Sequence, residues 1–231
     1  MKMHTWEKID AAGTALALKY SFGPGTVKTL VVKLEDGGLL AISPAAGLAA
    51  GVLDELAQQG EVTALLAPNG YHHLGQKLWR ARWPKAVSYA PDAAIARLGQ
   101  KCPDVAFESM SKLQALVGDK VQLLVPPDMK TPDVLARVQT AEGNVWFSGD
   151  LISNTTSADL ALPVRIILGL IGAGPGLRFN KMPAMIYLKD KAAWRAWVRA
   201  QLLAAPPAVV VPAHGELVRE DTAARMQQIL A

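Results

Sequence analysis

VTALLAPNGYHH, residues 62–73, is an apolar run followed at once by a polar loop. The run at 62–67 is short, continuous and bounded by Pro68, which is typical of a buried strand. The loop beyond it ends in two adjacent histidines, His72 and His73. Open α/β layers place their chemistry in loops at the carboxyl ends of strands. This stretch therefore predicts an α/β fold with a functional site in the loop.

Two later segments repeat the pattern. Residues 145–150 read VWFSGD and residues 208–215 read AVVVPAHG, so that Asp150 and His214 also follow apolar runs. Three strand ends thus offer imidazole or carboxylate groups to one edge of the fold, an arrangement that suits a metal ion.

Each of these residues also has a purely structural interpretation. His214 and the histidine pair are equally able to satisfy backbone groups, and an Asp after a Gly often caps a loop or a helix. Neighbouring side chains of an extended segment point in opposite directions, so His72 and His73 reach one ion only through a turn, which Gly70 permits. The match of three separate strand ends favours a shared site.

The rest of the chain predicts a layered α/β sandwich formed by one domain over residues 1–231. Turn signals at 36–38 and 141–144 predict two hairpins, within 26–43 and 134–147. Apolar spacing predicts helices at 48–59, 74–82, 91–98, 189–203 and 216–230, and further strands at 86–90 and 121–125.

Composition narrows the function classes. The net charge is +4, from 24 basic and 20 acidic residues scattered along the chain, and no basic stripe suggests nucleic-acid binding. Cys102 is the only cysteine, and the first ten residues lack a signal-peptide core, so a cytoplasmic protein is expected. The apolar segment 160–177 is interrupted by Pro, Gly and Arg, which predicts a covering helix over 160–171 rather than a membrane span.

Four segments of the sequence are similar to those of a known protein family: TLVVKLEDGGLLAIS, LLAPNGYHHLG, VWFSGDL and VVVPAHGEL. In order and spacing they resemble the metallo-β-lactamase superfamily, and most of all a divergent branch of plant and bacterial proteins with a degenerate metal-binding loop. The resemblance covers nearly the whole chain. It implies a four-layer αββα sandwich with a metal site at one edge.

The resemblance also implies which ligands are kept. The superfamily holds two metals with a His-x-His-x-Asp-His loop, a further His, an Asp after a Gly and a last His before a Gly. Pro68 and Gly70 stand at the first two loop histidines, and the further His, expected near 125–129, is absent, with Met129 or a neighbour in its place. His72, His73, Asp150 and His214 remain, which implies a mononuclear site for zinc, or for iron, manganese or nickel.

Three functions stay open. One is a hydrolase that uses a metal-bound water on a small ester, thioester, lactone or phosphoester, with Asp150 and His72 as catalytic residues and with Tyr71 and Asn69 close enough to assist. Another is a degenerate member of the fold that survives as a binding or scaffold protein. A third is a mononuclear iron oxygenase. Arg165, Arg178 and Lys181, near segment 160–177, are expected to favour an apolar acyl substrate with an anionic end.

Overall fold

The computed structural model describes residues 5–22, 25–49, 51–157, 162–163, 166 and 175–231. Within them the first sheet contains seven strands that lie side by side in chain order. These are β1 (Glu7–Lys8), β2 (Ala15–Phe22), β3 (Gly25–Lys33), β4 (Leu39–Ile42), β5 (Val62–Leu66), β6 (Val87–Ala90) and β7 (Phe107–Ser109). Pairing is antiparallel as far as β4 and parallel from β4 to β7, with α1 (Val52–Ala57), α2 (Gln76–Arg82) and α3 (Asp92–Lys101) as the connections.

The second half of the chain forms two smaller sheets. One has the order β13-β10-β9-β8 and the other the order β12-β11-β14. Their strands are β8 (Val121–Leu124), β9 (Leu135–Thr140), β10 (Gly143–Phe147), β11 (Ile152–Thr155), β12 (Gly176–Phe179), β13 (Pro207–Val211) and β14 (His214–Gly215). The helices of this half are α4 (Met110–Leu116), α5 (Lys181–Tyr187), α6 (Lys191–Ala204) and α7 (Thr222–Ile229).

Strand β10 shows how the layers are built. Val145 and Phe147 pack into a core between the two large sheets, whereas Trp146 points the other way and packs beneath the helices of the second half. A strand that is buried on both faces reads as a continuous apolar run, which explains the sequence at this position.

The core is divided into layers that match the strand faces. Between the sheets lie side chains from both, among them Leu30, Ile42 and Leu66 against Ala136, Phe147 and Val211. Trp79 and Trp83 cover the outer face of the first sheet, and Trp194, Val198 and Met226 cover that of the second. The helix–sheet–sheet–helix order confirms the predicted four-layer αββα sandwich.

Local chemistry explains the longest of these helices, α6. The carboxylate of Asp190 caps it by accepting hydrogen bonds from the backbone N–H groups of Ala192 and Ala193 at 2.7 and 3.1 Å. Trp194, Val198 and Leu202 then recur every four residues and form the buried stripe.

Several predicted boundaries differ from the structure. The helix expected at 216–230 begins only at Thr222, because residues 214 and 215 pair with β11 as strand β14. Strand β2 was not predicted, since ALALKYSF is apolar for only its first four residues and has two polar residues, Lys19 and Ser21, in its second half. The covering helix expected at 160–171 lies outside the described residues, apart from residues 162, 163 and 166. No helix in the described part of the chain is both long and apolar enough to cross a membrane.

Candidate metal centre

The loops after three strands bring His72, Asp150 and His214 together. His72 Nε2 lies 2.9 Å and His214 Nε2 lies 3.2 Å from the same atom, Asp150 Oδ1. The three potential ligand atoms all lie within 4.8 Å of one another. Within the described residues this is the one group of three such side chains.

Strand register explains why Asp150 and His214 meet. Strands β10 and β13 are parallel, and Phe147 is paired with Val211. Asp150 and His214 each come three residues beyond that pair, and the backbone N–H of Ala213 still donates to the carbonyl of Gly149 at 3.2 Å. His72 reaches them from β5 in the facing sheet.

The geometry fits a metal ion. Ligands that are bonded to one ion at about 2.0–2.2 Å lie roughly 3 Å apart, which is close to the two separations measured at Asp150 Oδ1. The side chains of His72 and Asp150 are 8% exposed and that of His214 is 30% exposed, so the group is sheltered but reachable.

In both imidazoles Nδ1, the nitrogen that faces away from Asp150, already has a hydrogen-bond partner. His214 Nδ1 lies 2.8 Å from the backbone oxygen of Thr26, which can only accept, so Nδ1 carries a proton, and Nε2 is the nitrogen that would offer a lone pair to an ion after giving up its own proton. His72 Nδ1 lies 2.7 Å from Ser43 Oγ. Both rings are therefore oriented with Nε2 toward Asp150.

Asp150 uses its two oxygens differently. Oδ2 accepts hydrogen bonds from the hydroxyl of Tyr187 at 2.8 Å and from Asn69 Nδ2 at 3.0 Å. Oδ1 faces the two histidines. Hydrogen bonds to Oδ2 therefore orient the carboxylate so that Oδ1 faces the two imidazole nitrogens.

Asp133, which sequence reasoning missed, supports this arrangement from behind. Its Oδ1 accepts from Asn69 Nδ2 at 2.9 Å, and its Oδ2 accepts from the backbone N–H groups of Asp150 and Leu151 at 2.8 and 3.3 Å. Burial and the nearby charge of Asp150 raise the pKa of Asp133 well above its usual range. Nothing in the loop PPDMKTPD distinguishes Asp133 from Asp128, so no sequence signal pointed to it.

Ser43 and Tyr187 were also missed. Ser43 immediately follows β4, just as His72 belongs to the loop after β5, so the strand-end argument extends to it. Tyr187 ends a short helix, α5, that has no counterpart in the predicted elements.

The pKa values of Asp150, His214 and Tyr187 are shifted by burial and by the charges and hydrogen bonds within the group. Burial alone would raise the pKa of Asp150, but the charges and hydrogen bonds of His72 and His214 hold it well below its usual range. Burial would lower the pKa of His214, and the hydrogen bond and charge of Asp150 instead raise it. Burial and the charge of Asp150 raise the pKa of Tyr187, so its hydroxyl stays a donor.

His73 and Met129 lie outside the three-residue group. His73 is not part of the three-residue group: its backbone oxygen accepts a hydrogen bond from Cys102 Sγ at 3.8 Å, and burial lowers the pKa of its ring. Adjacent residues in the loop diverge, so His72 alone turns toward Asp150. Met129 forms a bridge with Leu188 and packs in the outer core of the second half.

A cavity of about 570 Å³ opens beside the group and is lined in part by His72, Asp150, His214 and Tyr187. Catalytic zinc sites combine three protein ligands with an open position for water or substrate, and three potential ligands beside open space match that pattern.

Solved structures were compared with this architecture. The chain aligns with TMB-1 at 14% identity over 100% of this chain and 98% of that one, with a TM-score of 0.58. For a metallo-β-lactamase from Pontibacter korlensis the identity is 11%, the coverage 99% of both chains and the TM-score 0.60. The chain has the metallo-β-lactamase fold. The metallo-β-lactamase FIM-1 from Pseudomonas aeruginosa, solved in a mono-zinc form, aligns at 13% identity over 99% of this chain and 95% of that one, with a TM-score of 0.61.

The metallo-β-lactamase fold is recognised here through three-dimensional structure. No protein-family model and no curated protein sequence matches the chain. The absence of a sequence match agrees with the low sequence identities to the solved structures. The function of the site therefore has to be inferred from its own residues.

Proposed function

We propose that this chain is a metal-dependent hydrolase that binds one divalent ion, zinc in the first instance, through His72, Asp150 and His214. The observation that carries the proposal is the convergence of two imidazole nitrogens on Asp150 Oδ1 at 2.9 and 3.2 Å beside an open cavity. Iron, manganese and nickel are the alternative ions, because two histidines and one carboxylate also suit them.

The surroundings of Asp150 favour one ion over two. By resemblance Asp150 corresponds to the acid that bridges two metals, and a bridge through both of its oxygens needs Oδ2 to be free. Here Oδ2 is occupied by hydrogen bonds from Tyr187 and Asn69. A neutral hydroxyl and a neutral amide therefore take the place that a second cation would need.

Arg97 supports the same conclusion on the other side of the loop. A side chain at residue 70 would begin 2.8 Å from Arg97 Cδ, so Arg97 fills the space that a ligand there would use. Its Nε donates to the backbone oxygen of Gly70 at 3.2 Å, and its guanidinium group lies 4.2 Å from the centre of the Tyr71 ring. A fixed positive charge beside this position disfavours a second metal ion.

In the proposed reaction the ion and the side chains have different roles. A divalent ion supplies Lewis acidity, which polarises a carbonyl or phosphoryl oxygen and lowers the pKa of a bound water toward about 7. Asp150 Oδ1 and His214 Nε2 would hold the ion. Nε2 of His72 either completes the ligand set or accepts a proton from water in the cavity, since Ser43 holds the ring in the required orientation. The substrates in view are small esters, thioesters, lactones and phosphoesters.

Metal content tests the site directly. After dialysis against zinc and then against metal-free buffer, we expect about one zinc per chain in the native protein and about a hundredfold weaker binding in His72→Ala and His214→Ala. His73→Ala is the matched control, because it removes the adjacent imidazole while leaving the three-residue group intact. Equal zinc content in all four proteins, or none in the native protein, would reject the metal site.

Turnover separates the enzyme from the second candidate, a catalytically degenerate binding protein. The loss of ligand atoms at Pro68 and Gly70 is the observation that favours this alternative. Hydrolysis of p-nitrophenyl acetate that rises and falls with zinc content supports the hydrolase. Stoichiometric zinc without zinc-dependent hydrolysis of ester, thioester, lactone or phosphodiester substrates supports the binding protein.

A further inference from the structure

The cavity beside His72, Asp150 and His214 has two kinds of wall. Polar groups belong to the metal centre, to the tyrosines near it and to His73. The remaining wall is apolar and is contributed by Val27, Pro44, Leu74, Met182, Pro183 and Ile186. At about 570 Å³, the space is within the range of pockets that bind small organic molecules.

Much of the apolar wall is exposed to solvent. Leu74 is 50%, Met182 60% and Ile186 48% exposed, although all three are large and hydrophobic. Met182 and Ile186 are one helical turn apart on α5, so they form one continuous face above the cavity. An exposed apolar patch at the mouth of a pocket is typical of a site that binds an apolar ligand.

Charge is confined to the metal centre. Among the described residues that line the cavity, none is Lys or Arg, and the single acid is Asp150, which is paired with the two histidines. Arg178, expected from the sequence to bind an anionic group, lies in β12 and donates to the backbone oxygen of Pro175 at 2.6 Å. A carboxylate or phosphate on the apolar wall would lose its hydration without gaining a cationic partner there.

We propose that the preferred substrate is an uncharged carboxylic ester, open-chain or cyclic, with an apolar acyl chain, and that Met182 and Ile186 determine this specificity. The inference rests on the proposed hydrolase function and names its substrate class. The acyl chain lies along Leu74, Met182 and Ile186, and the ester carbonyl lies beside Asp150 and the histidines.

The reaction needs water alone as a second reactant. The bond between the acyl carbon and the alcohol oxygen breaks, a bond from the acyl carbon to the water oxygen forms, and the alcohol oxygen receives a proton. At neutral pH the acid product ionises. The apolar wall favours the neutral ester over this carboxylate, which helps the product to leave.

A chain-length series of p-nitrophenyl esters tests the inference on the zinc-loaded protein. From acetate to decanoate we expect kcat/KM to rise by about two- to fourfold for each buried methylene until the cavity is filled. The glutarate monoester, which carries a negative charge, should react about tenfold more slowly than the hexanoate ester of similar length. A flat series, or a preference for the charged ester, would overturn the proposal.

Variants on α5 test the residues that are named. Met182→Gln and Ile186→Gln should each lower kcat/KM for the decanoate ester by about tenfold and change it for the acetate ester by less than about twofold. Met185→Gln is the matched control, because Met185 lies on the same helix, is 70% exposed and is outside the cavity lining. Equal losses in all three variants would contradict the assignment.

Binding without turnover distinguishes this inference from the hydrolase proposal. The uncharged ketone 2-undecanone cannot be hydrolysed, and its binding can be measured by calorimetry. Binding that is weakened by Met182→Gln and not by Met185→Gln supports the apolar site even if no ester is hydrolysed, in which case the hydrolase proposal fails alone. Hydrolysis without a chain-length preference, together with ketone binding that these variants do not change, overturns the inference and leaves the hydrolase proposal standing.

Discussion

At the scale of single residues, Asp150 is the centre of the site. Its two carboxylate oxygens are in contact with two histidines on one side and with a phenol and an amide on the other. Its backbone N–H is held by Asp133 at 2.8 Å. The carboxylate is therefore fixed in both position and charge before any ion arrives, which is the condition for tight metal binding.

Removal of the Tyr187 hydroxyl should loosen this carboxylate. We expect Tyr187→Phe to weaken zinc binding by about 10- to 100-fold, because an outer hydrogen bond to a ligand is lost. The free energy of unfolding should fall by about 1.5–3 kcal/mol, the usual cost for a hydrogen bond to a charged group. Tyr71→Phe is the control, since the Tyr71 ring stacks on Tyr187 at 5.7 Å between ring centres and keeps that contact. Zinc titration and urea unfolding measure both effects, and equal behaviour of the two variants would count against the role of Tyr187.

His214 should make the stability of the metal-free protein depend on pH. Asp150 raises the pKa of His214 above its ordinary value of 6.5, so the folded state binds the proton more tightly than the unfolded state. The resulting stabilisation is fully present below about pH 6.5 and is lost as pH rises through the folded-state pKa. In EDTA, the difference in unfolding free energy between the native protein and His214→Gln should therefore shrink from about pH 6 to pH 8.5. A difference that grows with pH would show that the assigned direction is wrong.

At the scale of elements, the site depends on the turn that follows β10. Gly149 has a φ of +61°, and a Cβ atom there would lie 2.4 Å from Asp133 Oδ2. This turn brings the carboxylate of Asp133 against the backbone of Asp150. The parallel pairing of β4 with β5 acts in the same way on the other sheet, because it places Ser43 next to the loop that carries His72.

Gly149→Ala should disrupt this turn. Positive φ and the clash with Asp133 both oppose a side chain, so we expect a loss of about 2 kcal/mol or more in the free energy of unfolding, together with weaker zinc binding. Gly99→Ala is the matched control: Gly99 is in α3 with open space around it, and alanine there should stabilise the helix by about 0.5–1 kcal/mol. If thermal and urea unfolding showed that both substitutions change the free energy of unfolding in the same direction, this account would be contradicted.

At the scale of the whole molecule, the site joins distant parts of the chain. Ser43 and His72 follow strands of the first sheet, and Asp150 and His214 belong to the second half. An ion held between them would bind the folded state and not the unfolded one, so its binding energy adds to the stability of the entire sandwich.

Zinc should therefore raise the melting temperature of the native protein. At a free zinc concentration about 100 times the dissociation constant, linkage contributes about 2.7 kcal/mol, or roughly 5–10 °C for a chain of this size. The shift should be kept in His73→Ala and lost in His214→Ala, as measured by calorimetry with zinc or with EDTA. Magnesium at the same concentration should have little effect, because it prefers oxygen ligands. An equal shift in His214→Ala would place the stabilising zinc elsewhere.

The order of elements could be predicted from the sequence in large part. Strands β5, β10 and β13 and helices α2 and α6 lie close to the expected ranges, because burial on one face or on both leaves a periodic pattern that is local to each segment. Shorter elements escaped prediction. Strand β14 is two residues long and exists only because β11 lies beside it, so its own residues carry no strand signal.

For the site, the sequence by itself determined that His72, Asp150 and His214 each follow an apolar strand, since strand ends are encoded locally. Only the tertiary structure decided that His73 turns away, that Ser43, Asp133 and Tyr187 support the group, and that one oxygen of Asp150 is reserved for hydrogen bonds. The physical reason is that these contacts join residues 17 to 78 positions apart, and the pairing and packing of sheets set such distances. Local periodicity specifies which residues are buried, and tertiary packing specifies which of them meet.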